Sequence, residues 1–346
     1  HSMGRYPLAH QQRKSPMHHR TKPRKWISRE LDTLDPHRDY ERIWDLSSSY
    51  YVSDFLMDYV YAITFPRFLV TTRGARAVLR EGHGKIHERP NKRMDDTSRH
   101  MLTWWANGPS HPSTRRSVES LNNLHHHYAK QYPGHFSFNE DYIYTLCYEG
   151  AMMHRLKISL GMKGFDEKLQ TATWEFWSRM AKLFVNGDDG SPLCDFPNDF
   201  AGMNEYMDRY EAAQWPTNPW GDQVADVVLR PFAERHFPRA LHPVAKVMVT
   251  SLYPDWVLRT HGIARPHPLV RWIVRRGFRL GLTFAEKVAP DPEESLHEIH
   301  QRRKAELGVA RPQTKREAAQ VSRCPIHPTP TAQHATSATP ASHADL

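Results

Sequence analysis

Apolar residues recur at intervals of three and four along most of this chain. The runs in which they do so predict helices over residues 38–63, 71–81, 94–106, 111–130, 139–160, 165–185, 203–213, 219–235, 238–262 and 266–304. Alternating strand patterns joined by Asn-Gly or Asp-Gly hairpins are not evident; Asn186-Gly187 and Asp189-Gly190 mark a loop instead. The pattern is all-α, with one large helical domain over 31–304 and no internal repeat. Residues 1–30 are polar, basic and rich in His and Pro, which predicts a flexible basic N-terminal arm. From 305 the chain runs into "PTPTAQHATSATPASHADL", too poor in apolar surface to repay ordering, which predicts a disordered low-complexity tail over 305–346.

Composition sharpens this picture in three places. Aromatic residues make up 11% of the 346 positions and include ten Trp, enough large apolar side chains for a substantial core. The formal charge of +9 suggests nucleic acid until it is located. Residues 1–30 carry +7 and residues 301–346 carry +4, which leaves −2 for the body. A basic groove through the core is thereby disfavoured, and no nucleic-acid partner is expected. Cys147, Cys194 and Cys324 form no CxxC pair, so neither a disulfide framework nor a structural zinc site is indicated, and a reducing cytoplasm fits. No apolar run approaches the roughly 20 residues of a membrane span.

Candidate chemistry lies in three consecutive helices. "SLNNLHHHYAKQY" (120–132) sets three histidines side by side. His126 and His127 are turned about 100° and 200° from His125, so the three cannot converge on one metal. His125 falls among Val118, Leu121, Leu124 and Tyr128 and should face inward. It is the candidate ligand if there is one; a buried histidine bonded to a backbone carbonyl is the alternative. In "RMDDTSRHMLTWW", Arg93, Thr97, Met101 and Trp104 share one stripe, placing a guanidinium and a hydroxyl in line with a thioether and an indole. Arg93 can also simply snorkel at the helix start beside Asp96, with Asp95 capping the first turn. In "FSFNEDYIYTLCYEGAMMHRL", Ser137 or Asn139 can cap a helix whose Tyr142, Leu146, Gly150 and Met153 line one face. Gly150 there admits either a flat ligand or another helix.

Taken together, these stretches resemble the haem-dependent oxygenases that include the mycophenolate-pathway oxygenase MpaB and the latex-clearing (rubber) oxygenases. The likeness runs from "DYERIWDLSSSYYVSDF" through "RMDDT", "SLNNLHHHY" and "NEDYIYTL" to "FPNDFAGMNEYMDRYEAAQW" and "LYPDWVLRTHGI", nearly all of residues 36–285. The resemblance implies a helical, globin-like packing around haem b, with His125 as proximal iron ligand and Arg93 and Thr97 on the distal side. Where the rubber branch has a lysine before the threonine, this chain has Asp96; where that branch has an arginine three residues before the ligand, it has Asn122. Transfer of polymer cleavage is therefore not implied.

The implied function is a haem b-dependent oxygenase that binds dioxygen opposite His125 and inserts oxygen into, or cleaves, a hydrophobic or aromatic small molecule. Asp96 would shuttle a proton or orient Arg93. Met101, Trp104, Met152 and Met153 would give the pocket its apolar lining, and Gly150 would let the cofactor approach. The competing readings are a haem-binding sensor without catalysis and a protein that meets an anionic partner through its basic arms; homodimerisation stays open. Glu294-x-x-His297 with His300 fits a surface helix better than a di-iron site, and "CPIH" at 324 fits a bystander in the tail.

Overall fold

The computed structural model describes residues 22–321, Gln214 excepted. Most of the basic arm (1–21) and the end of the tail (322–346), with Cys324, lie outside the described residues. Fifteen α-helices and no strand occur among the described residues. They are α1 (Trp26–Thr33), α2 (Tyr40–Ser48), α3 (Asp54–Thr64), α4 (Thr72–Leu79), α5 (Lys85–Glu88), α6 (Pro90–Asn107), α7 (Pro112–Gln131) and α8 (Asn139–Ser159), followed by α9 (Glu167–Ala181), α10 (Phe200–Ala212), α11 (Gly221–His236), α12 (His242–Thr250), α13 (Asp255–Thr260), α14 (Pro268–Lys287) and α15 (Leu296–Val321). Residues up to Ile299 form one compact unit and those from His300 a second.

The helix boundaries follow local chemistry. Ser53, Thr71, Asp166 and Asp199 each accept a hydrogen bond from a first-turn amide and so start α3, α4, α9 and α10. Pro90, Pro112 and Pro268 stand at the first turn of α6, α7 and α14, where a missing N–H costs nothing. At α15, Ser295 and Glu298 hydrogen-bond each other reciprocally as a capping box. α8 has no side-chain cap, contrary to expectation; Asn139 instead pairs through its amide with both backbone groups of Cys194.

Three predicted helices are broken. The run 38–63 ends at Ser48 and restarts behind the Ser53 cap, 238–262 breaks at Pro254, and 266–304 breaks across Pro290 and Pro292. Conversely, α1 begins inside the stretch assigned to the arm and buries Trp26 and Ile27 against Leu46 and Tyr50. The buried carboxylate of Asp291 ties it down, taking Lys25 Nζ (3.0 Å), the Ile27 amide (2.9 Å) and the Tyr51 hydroxyl (2.9 Å).

Two larger apolar clusters carry the body. One joins α2, α6, α8, α9 and α10 around Trp44, Trp105, Leu146, Phe176, Trp177 and Met203. The other joins α3, α4, α11, α12 and α13 around Tyr59, Leu69, Val228, Phe232 and Tyr253. α8 meets α9 and α10 along one face, through Gly150 against Trp177, Tyr144 stacked on Tyr210 at 4.0 Å, and Arg155 paired with Asp208. The helical period then turns Tyr142, Thr145, Glu149 and Met153 to the opposite face.

Candidate functional site around His125

The three histidines separate as helical geometry requires, and each has a different environment. His127 is exposed, bonds Gln131 and packs edge-on against Tyr128. His126 Nδ1 donates to the carbonyl of Gly187 at 3.0 Å. His125 turns inward with Val118 and Ala129, and its ring lies 5.3 Å from Phe136 and 5.8 Å from Tyr142, centroid to centroid. Leu124, expected on the same stripe, is 40% exposed, so the buried seam passes through His125 rather than beside it.

The loop after α9 walls this ring. The Gly187 amide donates to Phe136 O (3.3 Å) and to the Tyr142 hydroxyl (3.1 Å), and that hydroxyl donates to Phe136 O (3.0 Å). A Cβ at Gly187 would stand 2.8 Å from Phe136 Cβ and 3.2 Å from His125 Cβ, so only glycine permits this approach. Asn122 fixes the start of the same loop by donating to Leu183 O (2.9 Å) and accepting from the Val185 amide. The position that holds an arginine in the rubber branch is here a loop anchor.

No partner is bonded to either ring nitrogen of His125 among the described residues, and Nδ1 is sealed from solvent. Protein packs around much of the ring, and the resulting desolvation, with the positive charge of Arg93 added, pushes its pKa down to about 4. The imidazole is therefore neutral at physiological pH, with its ring lone pair unused. The residue as a whole keeps some accessible surface.

Arg93 is the expected neighbour. Its guanidinium lies beside the Tyr61 hydroxyl and 5.4 Å from the Phe65 ring, within electrostatic reach of His125 and with no carboxylate partner among the described residues. Thr97 is part-buried one turn on and donates its hydroxyl to Arg93 O at 3.0 Å, leaving its oxygen free only as an acceptor. Asp96 is not free to work with Arg93. Burial would raise its pKa, but hydrogen bonds from Lys85 and Lys92 outweigh that, with Arg99 at 3.2 Å, and hold the carboxyl below its usual range. Asp95 turns to Arg235 at 2.7 Å instead of capping α6.

Met101, Trp104 and Gly150 lie in or against the apolar clusters. Met101 and Trp104 are buried in the first apolar cluster, where the Trp104 indole donates to Ser117 Oγ (2.9 Å) and packs edge-on to Phe184. Gly150 serves helix packing: a Cβ there would lie 2.7 Å from Trp177 Cδ1 and 2.9 Å from Met203 Cε. Cys147 is buried and Cys194 exposed, both as free thiols.

One further polar side chain, on α8, gave almost no signal in the sequence. Glu149, two turns beyond Tyr142 on the same face of α8, has no hydrogen-bond or ionic partner among the described residues, and burial pushes its pKa up to about 8. Its only signal in the sequence is an acidic residue between Tyr148 and Gly150 in an otherwise apolar stretch. Further along α8, Met152 and Leu156 line a cavity of about 270 Å³ with Arg67 and Arg275. A second cavity, of about 590 Å³, lies between Arg73, His135 and Trp220. His125 lines neither of these two.

The family model described as the catalytic domain of "ER-bound oxygenase mpaB/B'/Rubber oxygenase" matches residues 67–284, and the chain belongs to that family of oxygenases. The matched span contains Arg93, Thr97, His125 and Glu149. No curated protein matches the sequence.

Proposed function

We propose that the chain is a haem b-dependent oxygenase of hydrophobic or aromatic small molecules, with His125 as the iron ligand. The observation that carries this is the His125 ring itself, half-buried and neutral, with Nδ1 sealed from solvent and no partner on either nitrogen among the described residues. An apolar side chain would fill such a position at less cost, since an unpartnered buried polar atom is destabilising. Among the described residues no group of three or more His, Cys, Asp or Glu gathers as a protein-only metal site needs. One imidazole matches a metal whose equatorial ligands come from a macrocycle, and these residues fit that group. Bound haem would supply the redox-active iron at which dioxygen is used.

The chain's own residues do the rest. Phe136, Tyr142 and the Gly187 loop fix the plane of the His125 ring and keep water from it. Arg93, lacking a carboxylate, is available to hold negative charge that develops near His125. Thr97 orients by accepting, because its proton is committed to α6. Glu149 keeps a proton at neutral pH and can deliver it; Asp96, ionised among three cations, is unsuited to that task.

The test is the absorption spectrum of the purified chain after haem addition. A Soret band shifted from that of free haem is expected, and His125→Ala should lose it while keeping its helical circular dichroism. A variant that binds haem with an unchanged spectrum would refute the ligand assignment.

A further inference from the structure

We infer that α14 is an in-plane membrane helix, which lays its outer face into the headgroup–acyl boundary of an anionic phospholipid bilayer. α14 has 20 residues and buries none of them. Its inner face is held largely by polar clamps: Arg271 reaches Asp255 (2.6 Å) and Tyr253 O (2.8 Å), Arg275 reaches Ser159 O, and Glu286 pairs with Lys157 (2.7 Å). Phe278 and Leu282 add partial contact with the second apolar cluster.

The outer face is the unusual one. Leu269, Ile273, Leu280 and Phe284 fall on one helical stripe and are 59%, 54%, 69% and 58% exposed, with Trp272 at 55% beside them. Exposed apolar residues scattered singly need no explanation, but a stripe four turns long does. Near it, the last turn before α12 and α12 itself expose Leu241 and Val244, and α12 packs against α14.

Charge decides between occupants. α14 carries five cations, Arg271, Arg275, Arg276, Arg279 and Lys287, and its one acid, Glu286, is already paired with Lys157. The period places Arg276 and Lys287 on the apolar stripe and Glu286 away from it. A second copy would set Arg276 and Lys287 against like charges, whereas anionic headgroups neutralise these two cations while the acyl boundary takes the apolar side chains. Trp272 suits that boundary, and long basic side chains reach back to the headgroups. None of the described helices is long and apolar enough to cross a membrane, so the contact is parallel to the surface. This inference stands apart from the haem assignment.

The test is sedimentation of the full chain with vesicles of phosphatidylcholine alone and of phosphatidylcholine with phosphatidylserine. Wild type should pellet with the mixed vesicles, and Leu280→Glu/Phe284→Glu should bind them at least about tenfold more weakly, since two large apolar contacts are lost. Arg276→Glu should weaken binding to the mixed vesicles alone. Both apolar positions are exposed, so the melting transition should persist; if it does not, Leu280→Ser/Phe284→Ser is read in its place. Equal binding by wild type and the double variant would overturn the inference and assign any binding to the basic arm. Absence of wild-type binding overturns it too, as does a wild-type dimer that the double variant converts to monomer.

Discussion

Glu149→Gln separates a buried, protonated acid from an ordinary surface one. In the folded chain, desolvation pushes this carboxyl up to about 8 from its ordinary value of 4.5. Below about pH 4.5 both folded and unfolded chains hold the proton and stability is complete. As pH rises, the unfolded chain ionises freely and the folded chain does not, so stability falls by about 1.4 kcal/mol per pH unit. The loss reaches at most about 3 kcal/mol at pH 7 and levels off near 5 kcal/mol once the folded carboxyl also ionises, above about pH 8. Against a typical total of about 5–15 kcal/mol that is a large fraction. Glutamine keeps the shape and removes the titration. Urea unfolding followed by far-ultraviolet circular dichroism, from about pH 5 to about pH 8, should show the variant gaining on wild type with each step. Other titrating groups, such as Asp45, whose carboxyl burial pushes up to about 6, are common to both proteins and cancel in the difference. A stability difference constant across this range would refute the buried, unpartnered placement of Glu149.

Gly150→Ala should cost about 1–3 kcal/mol by overpacking Trp177 and Met203, yet leave haem uptake per folded molecule unchanged; reduced uptake without lost stability would return Gly150 to the cofactor site. Gly187→Ala forces a Cβ against Phe136 and His125, so it should both lower the melting temperature and alter the haem spectrum, read on one sample by scanning calorimetry and absorbance. Asp291→Ala removes the carboxylate that holds Lys25, the Ile27 amide and Tyr51, and should destabilise by about 3–5 kcal/mol, with limited proteolysis cutting first near α1.

Periodicity in the sequence reports which face of a helix is buried, and that much was legible: the helical class, the inward turn of His125 and the part-buried position of Arg93 all follow from spacing. It does not report what lies opposite the face. Gly150 was legible as a point of close approach, but its partners were not, because Trp177 and Met203 come from helices 27 and 53 residues away. Asp96 looked like a neighbour for Arg93 until Lys85, at the start of α5, claimed it. The break between α2 and α3 contains no proline or glycine and depends on the Ser53 cap, a signal shared with many serines inside helices. Glu149 was missed because an acid in a helix is ordinarily a solvated one, and only the packing around α8 makes it otherwise.

The histidine triplet acquires a structural logic once the loop is included. A neutral imidazole is useful as a donor only if its ring cannot rotate, and His125 has no hydrogen bond to hold it. Its orientation must therefore come from steric walls, namely Phe136, Tyr142 and the backbone at Gly187. That backbone is itself held by the neighbouring histidine, since His126 donates to Gly187 O, while Asn122, one turn earlier, anchors the loop at Leu183 and Val185. Two residues of α7 thus position the wall against which a third is pressed. Substitution of His126 should act on the site through the loop, loosening the His125 ring without removing a donor.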